Sequence, residues 1–181
     1  MKNRTIRDLA MIGVFAALVF AASWIQITIP TPIDNTRLHL GNVACLLSGF
    51  VLGPVPGGLA AGLGSMFFDF SNPLFVKDAP LTFLMKFAMA FVCGLIAKDG
   101  RSLRRNVAAA VCGAGLYVVL YLCKNFIENY FFLRAEPETV KIMLVTKGTV
   151  SSINAVIAVI AAVPLSAAVK KAMLATQQRA G

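Results

Sequence analysis

Long apolar blocks separated by short polar segments are the feature that most constrains the fold of this chain. Hydrophobic residues make up 58% of its 181 residues and only 14% are charged, whereas a soluble domain carries roughly 25% charge. The blocks lack the short-period alternation of polar and apolar residues that marks the surface elements of soluble proteins. We therefore expect the blocks to face lipid and the chain to be an integral membrane protein.

Six blocks are candidates for membrane-spanning helices, because a bilayer core about 30 Å thick needs about 20 apolar residues. We predict a single all-α transmembrane domain over residues 1–181. Its spans are placed at residues 7–29, 39–53, 57–71, 80–97, 106–131 and 141–169. The first apolar stretch, from Leu9 to Ile29, is longer than the core of a cleaved signal peptide, which has about 7 to 15 residues. We expect it to be retained as a spanning helix.

The second and third spans are short and are separated by Gly-Pro-Val-Pro-Gly-Gly from Gly53 to Gly58. Such a segment interrupts helices and predicts a tight hairpin; one kinked helix, giving five spans, is the alternative. With six spans, the cytoplasmic segments hold ten basic and two acidic residues, leaving 7 basic (17 minus 10) and 6 acidic (8 minus 2) outside. This asymmetry fits the positive-inside rule. Five spans would place the N-terminal basic cluster and the Lys98 to Arg105 cluster on opposite sides of the membrane. We therefore predict six spans, with both termini cytoplasmic.

Composition and motifs also exclude several classes of function. The basic residues that give the net charge of +9 lie at the ends of the apolar blocks. A nucleic-acid-binding patch would instead interleave basic with aromatic residues. Four cysteines lie inside apolar blocks without the spacing of a zinc or redox site, and we expect no cofactor or metal. No phosphate-binding loop is present, so ATP hydrolysis must come from another chain. His39 and the Gly64-Ser65 pair do not form a serine protease signature, and we predict no enzyme activity.

Ionisable and polar residues inside the spans are functional candidates, because they are costly in lipid. They share helix faces in the fifth and sixth spans, and the predicted directions place most of them in the outer half of the membrane. The predicted substrate-binding residues are Lys86, Tyr121, Lys124, Asn125, Glu128, Lys147, Ser151 and Asn154. Alternatively, the three lysines snorkel to the outer interface, with Glu128 paired to Lys124 across one helical turn.

Polar residues also occupy the outer loops. Four of them form a candidate gate over the pocket: Arg37, His39, Asn42 and Asp78. Solvated loop residues are the alternative, because loops are polar in general.

Small residues form a stripe on the first span. Gly13, Ala17 and Ala21 follow one another at every fourth position, which allows close approach of another helix. That helix could belong to this chain or to a partner.

An ordered series of motifs resembles the substrate-binding S components of energy-coupling-factor (ECF) vitamin transporters, in the branch that includes riboflavin-type members. The series comprises Leu38-His39-Leu40-Gly41-Asn42, Gly53 to Gly58, Gly62-Leu63-Gly64-Ser65, Ala79-Pro80-Leu81-Thr82-Phe83-Leu84-Met85-Lys86 and Gly94-Leu95. It covers about residues 38–97.

The resemblance implies six helices with cytoplasmic termini and a vitamin pocket near the outer face, built from helices four to six and the outer loops. It implies that the small-residue stripe packs against a transmembrane coupling subunit. Two ATPase subunits would complete an ABC-type importer in the cell membrane of a prokaryote, and the S component would topple to release its substrate inside. It also suggests that Lys86 is structural.

The leading hypothesis is capture of a small vitamin or precursor at the outer face. Three pocket lysines against one nearby acid, Glu128, favour an anionic ligand such as pantothenate, and pyridoxine, hydroxymethylpyrimidine and riboflavin remain open. A stand-alone small carrier or channel is the second hypothesis, and a non-transporting assembly protein is the third.

Overall fold

The structure is a computed structural model that describes residues 2–98 and 102–179. Within these residues the chain forms six α-helices and one β-hairpin. The helices are α1 (Lys2–Trp24), α2 (Gly41–Leu52), α3 (Pro54–Ser71), α4 (Ala79–Ala97), α5 (Leu103–Ile127) and α6 (Pro137–Arg179). The hairpin pairs β1 (Gln26–Pro30) with β2 (Asn35–His39) in antiparallel register. Asp99 and Arg101, which belong to the predicted cytoplasmic segments, lie outside the described residues.

Each predicted span overlaps one of the six helices, with corrections in the first and the last. The last helix, α6 (Pro137–Arg179), extends beyond the predicted span 141–169 at both ends. The first helix, α1, ends at Trp24, and residues 26–30 form β1, so the predicted span 7–29 is too long. Ile25, Ile27 and Ile29 alternate with polar residues, and this period of two belongs to a strand. The π-helical turn Glu128–Phe132 extends α5 by one further turn.

Four helical segments of the described chain are long and apolar enough to cross a membrane. They are Ile6–Trp24, Val76–Ala97, Leu103–Phe132 and Pro137–Met173. The second helix, α2, has 12 residues and is about 18 Å long at the usual rise. Large apolar side chains such as Leu18, Val119 and Ile160 are exposed on the bundle surface. An apolar exterior of this kind is typical of a surface that faces lipid, and the chain is a multi-pass membrane protein.

The α2–α3 connection is the predicted tight hairpin and not a single kinked helix. Gly53 adopts a φ of 85°, which glycine reaches without strain, and Pro54 begins α3. The Ser48 hydroxyl donates a hydrogen bond to the Gly57 carbonyl at 2.9 Å. The Cys45 sulfur lies 3.6 Å from the Ser65 hydroxyl, although 20 residues of continuous helix would span about 30 Å. The chain therefore reverses direction at Gly53.

Close backbone contacts hold the helices together. A Cβ placed on Gly64 of α3 would lie 2.3 Å from the Ala16 carbonyl oxygen of α1. A Cβ on Gly49 of α2 would lie 2.4 Å from the Ala90 carbonyl oxygen of α4. Small residues at such contacts are the usual means of helix packing in membranes. These contacts bring α1 against α3 and α2 against α4. The β-hairpin lies at the end of the bundle opposite the termini.

Candidate functional site

A polar cavity lies at this end of the bundle, beneath the β-hairpin and between the ends of α3 to α6 that are nearest to the hairpin. Its volume is about 40 Å³, which is room for a few water molecules. Binding pockets for small molecules usually measure about 300 to 1,000 Å³. A vitamin can therefore enter only if side chains or loops around the cavity move.

Arg37 of β2 and Asp69 of α3 form an ion pair in the cavity wall. The Arg37 Nη2 atom lies 2.5 Å from the Asp69 Oδ1 atom. The guanidinium carbon lies 4.0 Å from the ring centre of Phe75 and 4.8 Å from that of Phe68. Cation–π contacts of this kind stabilise a guanidinium against an aromatic face. The pair therefore connects the hairpin firmly to α3.

Lys147 connects α6 to the turn of the hairpin. Its ammonium lies 2.7 Å from the Asp34 carboxylate and donates a hydrogen bond to the Asn125 Oδ1 atom at 2.5 Å. The Lys147 side chain is only 2% exposed. It therefore does not snorkel into solvent, and its charge is matched inside the protein, as a buried charge requires.

Lys124 of α5 has two acidic partners. It lies 2.8 Å from Asp78 in the α3–α4 connection and 2.5 Å from Glu128 one turn along its own helix. Glu128 also contacts Lys77 at 3.1 Å. The expected Lys124–Glu128 pair is present, and it belongs to a network that joins α5 to the α3–α4 connection.

These contacts correct the charge count on which an anionic ligand was predicted. The three cations that line the cavity, Arg37, Lys124 and Lys147, each have at least one acidic partner. The predicted excess of three lysines over one acid is wrong, because two acids that are distant in sequence also lie beside the lysines. Asp34 contacts Lys147, and Asp78 contacts Lys124. Lys124 and Lys147 are therefore not free positive charges that await an anion.

Lys86 lies behind the cavity wall. Its side chain is buried and donates a hydrogen bond to the Asn42 Oδ1 atom. Its Nζ atom lies 3.6 Å from the centre of the Tyr117 ring, and Tyr117 lines the cavity whereas Lys86 does not. This position agrees with a structural role that connects α4 to α2 and α5.

Asn154 of α6 holds the backbone of β2. Its Nδ2 atom donates to the Arg37 carbonyl at 2.7 Å, and its Oδ1 atom accepts from the His39 backbone N–H at 3.0 Å. One buried amide thereby satisfies two backbone groups on the edge of β2 that faces away from β1. The hydrogen bonds fix the position of β2 over the cavity.

His39 is the only histidine in the sequence and lies in β2, outside the helices. Burial, together with the nearby charges of Lys86 and Arg37, holds the pKa of His39 well below its ordinary value. Its Nδ1 atom accepts a hydrogen bond from the Gly41 backbone N–H at 3.1 Å. The neutral imidazole with its proton on Nε2 is therefore the form that this structure requires.

The structure gathers many of the predicted residues around the cavity and places others outside it. Of the predicted substrate-binding set, the cavity wall includes Tyr121, Lys124, Lys147, Ser151 and Asn154. Of the candidate gate, the wall includes Arg37, His39 and Asp78. The remaining residues support the wall from behind: Lys86, Asn125, Glu128 and Asn42.

Seven residues of the cavity wall were not predicted: Asn35, Thr36, Asp69, Phe75, Thr82, Met85 and Tyr117. Tyr117 shares a helix face with Tyr121, and their rings stack 5.9 Å apart; the spacing places it on the polar face of the fifth span, but it was not among the predicted binding residues. Thr36 lies in the cavity wall, where its hydroxyl is 3.3 Å from the Tyr121 hydroxyl. No sequence pattern around Asp69, near the end of α3, indicates that it faces Arg37.

Comparison with known proteins gives a consistent result. The family described as ECF-type riboflavin transporter, S component, matches residues 3–171. The biotin transporter BioY of Thermotoga maritima is 31% identical over 136 residues, which cover 70% of this chain and 76% of that protein. A UPF0397 protein of Lactococcus lactis is 36% identical over 64 residues, 35% of each chain.

A solved structure, described as the S component of a bacterial ECF transporter, has the same fold. It superposes with a TM-score of 0.68 over 93% of this chain and 98% of that chain, at 20% sequence identity.

Proposed function

This chain belongs to the family of S components of ECF-type riboflavin transporters, and we propose that it captures a small vitamin or vitamin precursor in the cavity beneath its β-hairpin. The observation that carries this proposal is the cavity itself. Thirteen of its fifteen lining residues have polar side chains, at the end of a bundle whose exterior is apolar. A polar site of this kind suits a small water-soluble ligand, because the polar groups of such a ligand need hydrogen-bond partners once they leave water.

All six helices cross the membrane in this proposal, with both termini in the cytoplasm of a prokaryotic cell. The basic residues support the orientation, because Arg7, Arg104, Arg105 and Lys171 lie at the end of the bundle opposite the cavity. Positively charged loops remain cytoplasmic. The cavity would then face the outer medium, from which the vitamin arrives.

The small-residue stripe is proposed as the contact with a coupling subunit. Gly13, Ala17 and Ala21 are all exposed, and nothing lies within 4 Å of a Cβ placed on Gly13. The α1 contact inside the bundle uses Ala16, which packs against Gly64 of α3. The stripe is therefore free for a partner helix, and two ATPase subunits bound to that partner would supply energy for toppling and release inside. The S component itself performs no covalent chemistry.

The ligand candidates are those that the resemblance leaves open, with one addition. They comprise pantothenate, pyridoxine, hydroxymethylpyrimidine and riboflavin, and biotin joins them because a relative of this chain is described as a biotin transporter.

The test is binding to the purified protein in lipid nanodiscs. Each of the five candidates is titrated by isothermal calorimetry, and small molecules that co-purify with the protein are identified by mass spectrometry. We expect one candidate to bind in the submicromolar range or to co-purify. Absence of binding by all candidates and by any co-purified molecule would refute the proposal.

A further inference from the structure

The Arg37–Asp69 pair makes one of the two parallel hydrogen bonds that an arginine and a carboxylate can form. Arginine and carboxylate groups often pair through two parallel hydrogen bonds. Here one contact joins Arg37 Nη2 to Asp69 Oδ1 at 2.5 Å. Within residues 2–98 and 102–179, the buried Arg37 Nη1 and Asp69 Oδ2 atoms have no hydrogen-bond partner. One donor and one acceptor are therefore left unmatched on two residues that line the same cavity.

The Arg37 side chain is held in place by its neighbours, and Asp69 is buried. The Arg37 guanidinium lies against the rings of Phe75 and Phe68, and the Arg37 carbonyl accepts a hydrogen bond from Asn154. Asp69 is fully buried near the end of α3. Leaving such buried groups unmatched is costly, so a ligand that matches both gains affinity without first having to order them.

We infer that the ligand presents a hydrogen-bond acceptor and an N–H donor side by side on one edge of a ring, as a cyclic amide, a ureido group or an aminopyrimidine does. The acceptor takes a hydrogen bond from Arg37 Nη1, and the N–H donates to Asp69 Oδ2. This inference rests on the proposed function, because it assumes that the cavity binds the transported vitamin. A carboxylate in the same place would meet the negative charge of Asp69, which costs free energy at close range.

The chemistry of this edge separates the candidate vitamins. The flavin ring of riboflavin, the aminopyrimidine of hydroxymethylpyrimidine and the ureido ring of biotin all present an N–H beside an acceptor. The open-chain amide of pantothenate is trans, so its N–H and C=O groups point in opposite directions. Pyridoxine has no such N–H. We therefore expect the first three to bind in preference to the last two.

The decisive experiment measures how methylation of that N–H changes binding to the full chain in nanodiscs. The probes are riboflavin and 3-methylriboflavin, biotin and its ureido N-methyl derivative, and hydroxymethylpyrimidine and its N,N-dimethylamino derivative. For the vitamin that binds, methylation should weaken affinity for the unaltered protein on the order of 10- to 100-fold, as expected for a lost hydrogen bond to a charged group. In the Asp69→Asn variant the effect of methylation should be at least about threefold smaller than in the unaltered protein, because the neutral amide oxygen is a weaker acceptor than the carboxylate. The exposed Glu138→Gln change is the matched control and should leave the ratio as in the unaltered protein.

Different results would contradict the proposed function and the hydrogen-bonding pattern inferred for the ligand. If no candidate and no co-purified molecule binds, the proposed function fails. If a vitamin binds but its N-methyl derivative binds the unaltered protein equally well, this inference alone is overturned. Tightest binding of pantothenate or pyridoxine also overturns it. The measurement on the unaltered protein needs no variant, so equal binding of the N-methyl derivative overturns the inference even if Asp69→Asn does not fold.

Discussion

The ammonium of Lys147 in α6 lies 2.7 Å from the carboxylate of Asp34 in the turn of the β-hairpin, 113 residues away in sequence. The two partners differ in burial, since the Lys147 side chain is 2% exposed and that of Asp34 is 26% exposed. Removing one partner of a buried pair leaves the other charge uncompensated. The consequences should therefore depend on which partner is removed.

We predict that Asp34→Asn is more damaging than Lys147→Met. Asp34→Asn leaves a buried ammonium beside neutral amides and without its acidic partner, and should reduce the free energy of unfolding by about 3 kcal/mol. Lys147→Met leaves a partly solvated carboxylate and should cost about 1 kcal/mol. Unfolding by SDS in mixed micelles measures both. Equal losses would show that the difference in burial does not control the pair.

Asn154→Ala should loosen the hairpin while the helices stay folded. The substitution removes the two hydrogen bonds that hold the Arg37 carbonyl and the His39 N–H. Backbone amides of residues 35–39 should exchange with deuterium at least about tenfold faster, because each hydrogen bond contributes roughly 1 kcal/mol. Ser152→Ala, at an exposed neighbouring position on α6, is the control. Unchanged exchange in Asn154→Ala would show that other contacts hold β2.

Stability should fall as the pH drops below about 6.5, and His39 should be responsible. Its folded-state pKa lies below the ordinary value of 6.5, so the unfolded chain binds more protons than the folded chain in this range. Stability is therefore complete above pH 6.5 and declines as the pH falls towards the folded-state pKa. The thermal midpoint measured from pH 7.5 to 5 should decrease. His39→Asn should flatten this profile, because no other histidine is present; an equally steep decrease in the variant would contradict this explanation.

Lys86→Met should affect stability more than ligand binding. Lys86 lies behind Tyr117 and contacts Asn42, so its removal should leave the vitamin affinity within about threefold, since no contact with the ligand is lost. Lys124→Ala removes a residue of the cavity wall and frees Asp78. It should weaken binding about tenfold or more, a loss typical of a buried charged hydrogen bond. Calorimetry on both variants makes the comparison, and a larger loss for Lys86→Met would place that lysine at the ligand.

A bulky residue on the stripe should uncouple transport from binding. Ala17→Trp on α1 would block close approach of a partner helix, so uptake by the complete transporter should fall more than about tenfold while vitamin affinity stays unchanged. Ala108→Trp, at an exposed small residue on α5, is the matched control and should preserve both. Normal uptake by Ala17→Trp would exclude the stripe as the coupling surface.

Hydropathy predicted the helices well because lipid imposes long continuous apolar segments on each of them. It failed at residues 25–29, where three isoleucines alternate with polar residues but directly continue the apolar run of α1. A continuous apolar count cannot distinguish that strand from a longer helix. The alternation itself was the available signal.

The cavity was predictable only in part. Helix periodicity placed Tyr121, Lys124, Lys147, Ser151 and Asn154 on shared faces, and all five line the cavity. The acids that neutralise the cations could not be predicted, because Asp34, Asp69 and Asp78 meet their partners across 113, 32 and 46 residues. Such pairs depend on tertiary packing and leave no local pattern.

Vitamin uptake into proteoliposomes distinguishes a substrate-binding subunit of a coupled importer from a stand-alone carrier. The protein is reconstituted alone, and also with a coupling subunit and two ATPase subunits, and accumulation of the radiolabelled vitamin that it binds is measured with and without ATP. We predict accumulation only in vesicles that contain the complete set of subunits and ATP. Equal accumulation by the protein alone, without ATP, would contradict the account and identify a stand-alone carrier.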